Sequence, residues 1–220
     1  MKTENEILEM VFAMFLERGF SAISTNEMIR KAGLTKGGFY YTFHSREELE
    51  QRVIGAYITP YFAVPLAQME QAWREKGQDT PTQALLWDGF FRPLCFGAYL
   101  EQVGQEIAFR DFYLLLCEGM KKFPSVIAES KAFERQKQDC LRRILQRGQE
   151  RGEISKEIDL ESYLTMCIAM QDGIQALKVL DDTIDDREKY EIIQKQIWNE
   201  ISSPKPYGGR IDGGVTSAVS

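Results

Sequence analysis

Apolar residues recur at three- and four-residue steps along nearly the whole chain, and no segment alternates apolar and polar positions long enough to make a strand. The pattern predicts an all-α fold of about nine helices. Ile7, Leu8, Val11 and Phe15 share one face of a first helix from about Thr3 to Arg18, with Gly19 at the C-cap position. Ser24-Thr25-Asn26-Glu27 reads as a capping box, a hydroxyl accepting the amide three residues on while that residue's carboxylate reaches back. It opens a short second helix that ends at Ala32-Gly33. Thr35 caps a third helix through about Thr42, and Ser45 with Glu48 forms another capping box that opens a fourth.

From Arg46 the fourth helix runs to about Thr59, where Pro60 removes an amide donor and predicts a kink or break. Helical pattern resumes from about Val64 to Glu75, with a turn over Gly77 to Pro81. Two aromatic-rich helices follow, about Thr82 to Val103 and Gln105 to Gly119, the first kinked or interrupted by Pro93. A helix from about Pro124 to Arg151 carries Phe133, Cys140, Leu141, Ile144 and Leu145. The segment Asp159 to Leu180 is apolar on more than one side (Leu160, Tyr163, Leu164, Met166, Cys167, Met170, Ile174, Leu177) and so requires two packing partners. Tyr190, Ile193, Ile197 and Ile201 mark a final helix. Beyond Pro204 the chain is too rich in Gly and Pro to fold alone. These elements divide into an N-terminal domain, 1–47, a larger helical domain, 48–203, and a flexible tail, 204–220.

The segment Ser24 to Phe43 is a capped short helix, a Gly-containing turn and a second short helix, which is the grammar of a helix-turn-helix. Met28, Ile29, Leu34, Phe39 and Phe43 are placed to pack against Phe15 and Phe20. Charge sharpens this reading. The 220-residue chain is 44% hydrophobic with a net charge of −6, so overall basicity cannot hold it on nucleic acid. Yet between Arg30 and Arg46 the only ionisable residues besides tyrosines are Arg30, Lys31, Lys36, His44 and Arg46, a local basic field in an acidic chain. Ser24, Asn26 and Thr35 on the same segment are candidate DNA contacts, Thr35 with the free amides at the start of the third helix meeting a phosphate. Lys36 is positioned for a base edge or a phosphate, Asn26 is a second candidate for a base, and Gly37 and Gly38 allow close backbone approach to the major groove.

With NEILEMVFAMFLERGF before it and HSREELEQRV after it, IRKAGLTKGGFYYTFHSREEL resembles the DNA-binding domain of the TetR family of one-component regulators over about the first fifty residues, in register and without gaps. Ile29 departs from the family's usual small alanine. RGQERGEISKEIDLESYLTMCIAMQDGI resembles the C-terminal part of many members, far more weakly. The resemblance implies an all-α homodimer with a variable ligand-binding C-terminal domain, usually a repressor released from double-stranded operator DNA by its effector. It implies phosphate contacts by Thr25, Tyr40, His44 and Arg46, and contact of Tyr41 with bases or thymine methyl groups.

The remaining chemistry is sparse. Cys95, Cys117, Cys140 and Cys167 are widely spaced and read as buried thiols, and a single histidine leaves no metal-ligand spacing. No Gly-rich phosphate loop or nucleophile elbow supports an enzyme, and no cofactor or metal is implied. The N-terminus lacks the pattern of a signal peptide and no apolar run approaches the roughly 20 residues of a membrane span, so a cytoplasmic protein without a membrane partner is expected. Trp87, Phe90, Phe91, Phe96, Tyr99, Phe109, Phe112 and Tyr113, with Met166 and Met170, suggest a pocket for a large hydrophobic or aromatic effector. Asp88, Glu101, Glu106 and Glu118 read as solvated helix faces. Tyr163, Cys167, Met170, Gly173, Ile174, Leu177, Ile193, Ile197 and Ile201 are candidates for a dimer interface. The competing reading of the same fold is a ligand-independent architectural or cell-division factor.

Overall fold

A computed structural model describes residues 2–202; the expected tail, 204–220, lies outside the described residues. Three short helices form the head: α1 (Glu4–Arg18), α2 (Thr25–Ala32) and α3 (Lys36–Thr42). α1 starts at a complete capping box, Thr3 with Glu6. The other two boxes are modified. Ser24 accepts the Glu27 amide at 3.2 Å, but the Glu27 carboxylate turns to the Arg18 guanidinium at 2.9 Å. Ser45 accepts the Glu48 amide at 3.0 Å, and the Glu48 carboxylate reaches one residue further back, to the His44 amide at 2.8 Å. In both cases an arginine draws the carboxylate from the N-cap amide, Arg18 for Glu27 and Arg52 for Glu48.

α4 (Arg46–Val53) and α5 (Thr59–Lys76) form one rod, so no loop separates residues 47 and 48. The break expected at Pro60 is absent. A π turn, Ile54–Ile58, widens the ladder just before it, and the Thr59 amide donates to the Ile54 carbonyl five residues back. A proline lacks a donor and its ring crowds the carbonyl four residues back; moving the ladder by one residue relieves both problems. Pro93 does interrupt its helix. α6 (Thr82–Leu86) passes into a π turn, Trp87–Phe91, and a 3-10 turn, Arg92–Leu94, before an extended Cys95 leads into α7 (Phe96–Val103). α8 (Phe109–Lys122) starts later than its polar lead-in suggested, because its inward face begins at Phe109 and Phe112. The long α9 (Pro124–Glu150), α10 (Leu160–Leu180) and α11 (Asp186–Ile201) complete the body. With α4 and α5 counted as one rod, ten helices form among the described residues, and none is long and apolar enough to cross a membrane.

One hydrophobic core runs from Phe12, Phe15 and Phe20 in the head, through Val53 and Ile58, into Phe90, Phe112 and Leu145 in the body. Polar clamps reinforce the junction between head and body. The Glu118 carboxylate on α8 accepts the amides of Phe20 and Ser21, each at 2.9 Å, and the Ser21 hydroxyl at 2.6 Å. Glu118 is therefore bound to the α1–α2 loop and is not a solvated face. Glu50, 2% exposed, lies between Arg46 and Lys122, each 2.8 Å away. Asp88, also read as solvated, pairs with Lys76.

Candidate functional site

The expected helix-turn-helix core is assembled as the apolar pattern requires. Met28, Ile29, Phe39 and Phe43 are all buried in the same cluster as Phe15 and Phe20, and Leu34 packs against it. Ile29 fits without opening the helix pair, at 8% exposure. Gly33 ends α2 with φ +69° and ψ 26°, a left-handed conformation in which a Cβ would be strained. The turn it permits brings α3 across the end of α2. Thr35 then caps α3 by accepting the Gly38 amide at 3.0 Å.

Packing of Phe39 and Phe43 inward determines what α3 shows to solvent. Tyr41 is 90% exposed and Tyr40 44% exposed, while Thr35, Lys36 and Gly37 are exposed and Gly38 is half-covered. A Cβ at Gly37 would meet nothing within 4 Å, so nothing inside this chain requires glycine there. Ser24 and Asn26 are exposed at the start of α2 and Thr25 is half-exposed. The charges are distributed consistently with an anionic partner. Among the described residues, Arg18, Arg46 and Arg52 sit in ion pairs whereas Arg30, Lys31 and Lys36 do not, leaving their positive charge uncompensated.

His44 and Arg46 are differently placed. The exposed His44 ring lies 2.8 Å from Glu48, whose carboxyl is held down at about 2 by the His44 amide and ring and by the Arg52 guanidinium. Arg46 is turned inward. Its three nitrogens donate to the Ile23 carbonyl (2.5 Å), the Phe20 carbonyl (2.6 Å) and Glu50 (2.8 Å), so in this structure it ties α4 to the α1–α2 region instead of facing a phosphate. Replacing Arg46 with alanine strands two carbonyls and part of a buried carboxylate's pairing. We expect it to lower unfolding stability by about 2–4 kcal/mol, read by urea denaturation. A stability loss below about 0.5 kcal/mol with weakened DNA binding would return it to the phosphate-contacting group.

In the body, the aromatic candidates fill space themselves. Phe96, Tyr99, Phe109 and Phe112 are buried and interleave, with ring centroids 4.8–5.6 Å apart for the pairs Tyr99–Phe112, Phe96–Phe109, Phe96–Tyr99 and Phe96–Phe112. Tyr113 stacks beside Phe109 at 5.6 Å. Phe90 and Phe91 point elsewhere, Phe91 toward Tyr190 on α11; Trp87 and Met166 are half-buried and Met170 is 37% exposed. None of the ten candidates lines any of the three described cavities. One of these, about 530 Å3, is a polar cleft between α5, α7 and the start of α11, bordered by Glu75, Lys76, Arg92, Cys95, Glu101 and Arg187 among others. Composition cannot separate a lined pocket from a filled core, which explains the difference. Cys95 and Cys167 are buried and their thiols pushed up to about 12 by burial; Cys140 is buried too, but Cys117 is exposed on the outer face of α8, contrary to the expectation of four buried thiols.

α10 carries two apolar faces. Leu164, Cys167, Gln171 and Ile174 turn inward, whereas Tyr163, Met166, Met170, Gly173, Leu177 and Leu180 follow steps of three and four along a second, outward or half-covered stripe. Leu177 and Leu180 are 55% and 76% exposed. Of the interface candidates, Cys167, Ile174, Ile197 and Ile201 are therefore core of their own subunit; Ile193 and Tyr163 are half-buried and Met170, Gly173 and Leu177 are free.

The head and body together define a helix-turn-helix protein with an all-helical second domain. Residues 7–53 match the family profile described as "Bacterial regulatory proteins, tetR family". Over 58 residues the chain is 34% identical to the HTH-type transcriptional repressor KstR2 of Mycobacterium tuberculosis, a match covering 26% of this chain and 29% of that repressor's length. The same fold recurs across whole chains. The TetR family transcriptional regulator PfmR from Thermus thermophilus superposes with a TM-score of 0.62 at 21% identity, covering 88% of this chain and 97% of PfmR. SmeT, the repressor of the Stenotrophomonas maltophilia multidrug efflux pump SmeDEF, superposes with a TM-score of 0.58 at 18% identity, covering 100% and 98%. Residues 7–53 are therefore similar to the bacterial regulatory proteins of the tetR family, and the solved structures, at 21% identity or less, share the fold of the whole chain.

Proposed function

We propose that the protein is a homodimeric, cytoplasmic repressor that binds a two-fold operator through α3 and is released by a small, largely apolar molecule held in its helical body. The observation carrying the DNA-binding part is the α3 surface: Tyr41 stands 90% exposed beside an uncompensated Lys36 and a Gly37 that has no internal packing partner. An exposed tyrosine ring offers both an apolar face and a hydroxyl to a partner, and a glycine with open space above it suits close approach of another molecule's backbone. In this reading Lys36, Tyr41 and Asn26 read bases, Thr25, Thr35, Tyr40 and His44 meet phosphates, and the boundary between head and body falls near residue 47. Repression is favoured by the description of KstR2 and SmeT as repressors.

Dimerisation is supported by the outward stripe of α10, whose 3-4 spacing suits a helix of a second subunit. Two subunits would place two α3 helices about one turn of DNA, roughly 34–36 Å, apart. Release needs a path from body to head, and the Glu118 and Glu50 clamps supply contacts through which α8, whose first turns carry Phe109, Phe112 and Tyr113, can bias the head. The test is selection of bound genomic fragments by the purified protein, followed by a thermal-shift screen. A two-fold motif and at least one compound that both raises the unfolding temperature and weakens DNA binding are expected. A motif with no such compound across a broad aromatic and lipid library would favour the ligand-independent factor.

A further inference from the structure

We propose that the interior of the body contains a binding site for the carboxylate of an otherwise apolar effector, with the Lys137 ammonium as its anchor and the Tyr190 hydroxyl as a second donor. The inference rests on the ligand-responsive reading above and adds the effector's chemical class. Lys137, on α9, is fully buried, with 1% of its side chain exposed. Its ammonium donates to Gln171 Oε1 at 2.6 Å and to Glu134 Oε1 at 2.9 Å, with Asp172 3.8 Å away. Tyr190, on α11, is fully buried too, and its hydroxyl donates to no acceptor. Gln171 is the shared neighbour: its carbonyl is taken by Lys137, and its side chain lies beside the Tyr190 hydroxyl. Burial pushes the Tyr190 phenol up, so it stays a protonated donor.

The Lys137–Gln171 hydrogen bond ties α9 to α10, but a neutral side chain could do the same without burying a charge. The body's other deeply buried cation near α6, Arg147, is spent on structure, donating to Thr82 Oγ1 and to the carbonyls of Gln78 and Thr80, which it holds in a turn. Lys137 organises no backbone, and a methionine of similar length would fill its place without charge burial. An orphaned hydroxyl in an apolar core is likewise a cost that structure alone does not return. Such departures from core rules concentrate at functional sites.

The surroundings select the ligand. The ammonium is fixed within the site, so a cationic effector is repelled, and a neutral one that displaces Glu134 and Asp172 leaves its charge uncompensated. Its present carboxylate partners are replaceable: the Glu134 and Asp172 side chains are 40% and 59% exposed and can return to water at little cost. A ligand carboxylate in their place gains charge-assisted hydrogen bonds from Lys137 and, through its other oxygen, the idle Tyr190 hydroxyl. The adjoining walls are apolar, with the Lys137 ammonium 5.4 Å from the centre of the Phe133 ring, Phe133 against Phe62 at 5.6 Å, and Phe91 against Tyr190 at 6.0 Å. The body of the effector should therefore be hydrocarbon or aromatic.

The test uses the full-length protein with decanoate and 4-phenylbutyrate, each against its primary amide, by calorimetric titration and by release of the selected operator. At least one acid should bind about tenfold or more tighter than its amide, the worth of a charged hydrogen bond; which acid wins separates an aliphatic from an aromatic source. Lys137→Met should erase that preference while keeping the amide's affinity, and Tyr190→Phe should reduce acid binding several-fold. If Lys137→Met does not fold, Lys137→Gln and Tyr190→Phe carry the same comparison. The inference is overturned if the amides bind as tightly as the acids, if the Lys137 variant keeps the preference, or if neither acid binds. Neutral compounds that release DNA while acids do not would overturn this site alone. Silence of the acids, the amides and the wider neutral library together would remove the ligand-responsive reading as well.

Discussion

Alanine at both Lys36 and Tyr41 is expected to weaken binding to a selected operator duplex by roughly a hundredfold or more at fixed salt, since each lost base or phosphate contact costs about 1–3 kcal/mol and a dimer presents two copies. The unfolding curve should not move. Tyr41 is 90% exposed and Lys36 is unpaired among the described residues, so neither contributes to the packing that holds α2 against α3. If Lys36 meets a phosphate, the slope of affinity against salt should also flatten by about one for each copy lost. Fluorescence anisotropy across a salt series measures both quantities. Affinity within twofold of the parent would mean that α3 is not the reading helix.

A pair of charges on the outward stripe, Met170→Glu with Leu177→Glu, is expected to give monomers that retain their helical content. These positions are 37% and 55% exposed in the single subunit, so a carboxylate there remains hydrated until a second subunit would cover it. Operator affinity should fall by roughly a thousandfold, because the second half-site is no longer held nearby by the first. Glutamate at Ile174 must behave differently. Ile174 is 6% exposed on the opposite face of α10, and a charge there should unfold the subunit at a cost of about 4 kcal/mol or more. Sedimentation velocity combined with circular dichroism separates the two outcomes. A persistent dimer of the Met170/Leu177 variant would show that this stripe is covered by something other than a second copy.

The clamps at the junction of head and body lie between these two surfaces. Glu118 holds the amides of Phe20 and Ser21, and Glu50 is buried between a head-facing arginine and a body lysine, Arg46 and Lys122. Both sets of contacts end on α8. Motion of α8 past the head therefore has to break charge-assisted bonds, which makes the junction suited to discrete states over continuous drift.

Much of this was written locally. Ser24, Thr35 and Ser45 mark helix starts because each hydroxyl bonds an amide three residues away. Gly33 marks its turn because one residue's φ decides it, and Phe39 and Phe43, one turn apart, put Tyr41 on the opposite side of α3 while Lys36 is free as its first residue. What required the folded chain involves partners distant in sequence. Pro60 looks like a breaker until the π turn before it is seen; Arg46 looks like a phosphate ligand until the carbonyls of Phe20 and Ile23 are brought to it. The two stripes of α10 differ only in which neighbours reach them, and Lys137 lies in an otherwise unremarkable helix until α10 brings Gln171 against its ammonium. Capping and periodicity act over a few residues and so can be read from a string, whereas burial and pairing depend on which surfaces meet, and tertiary packing alone makes that choice.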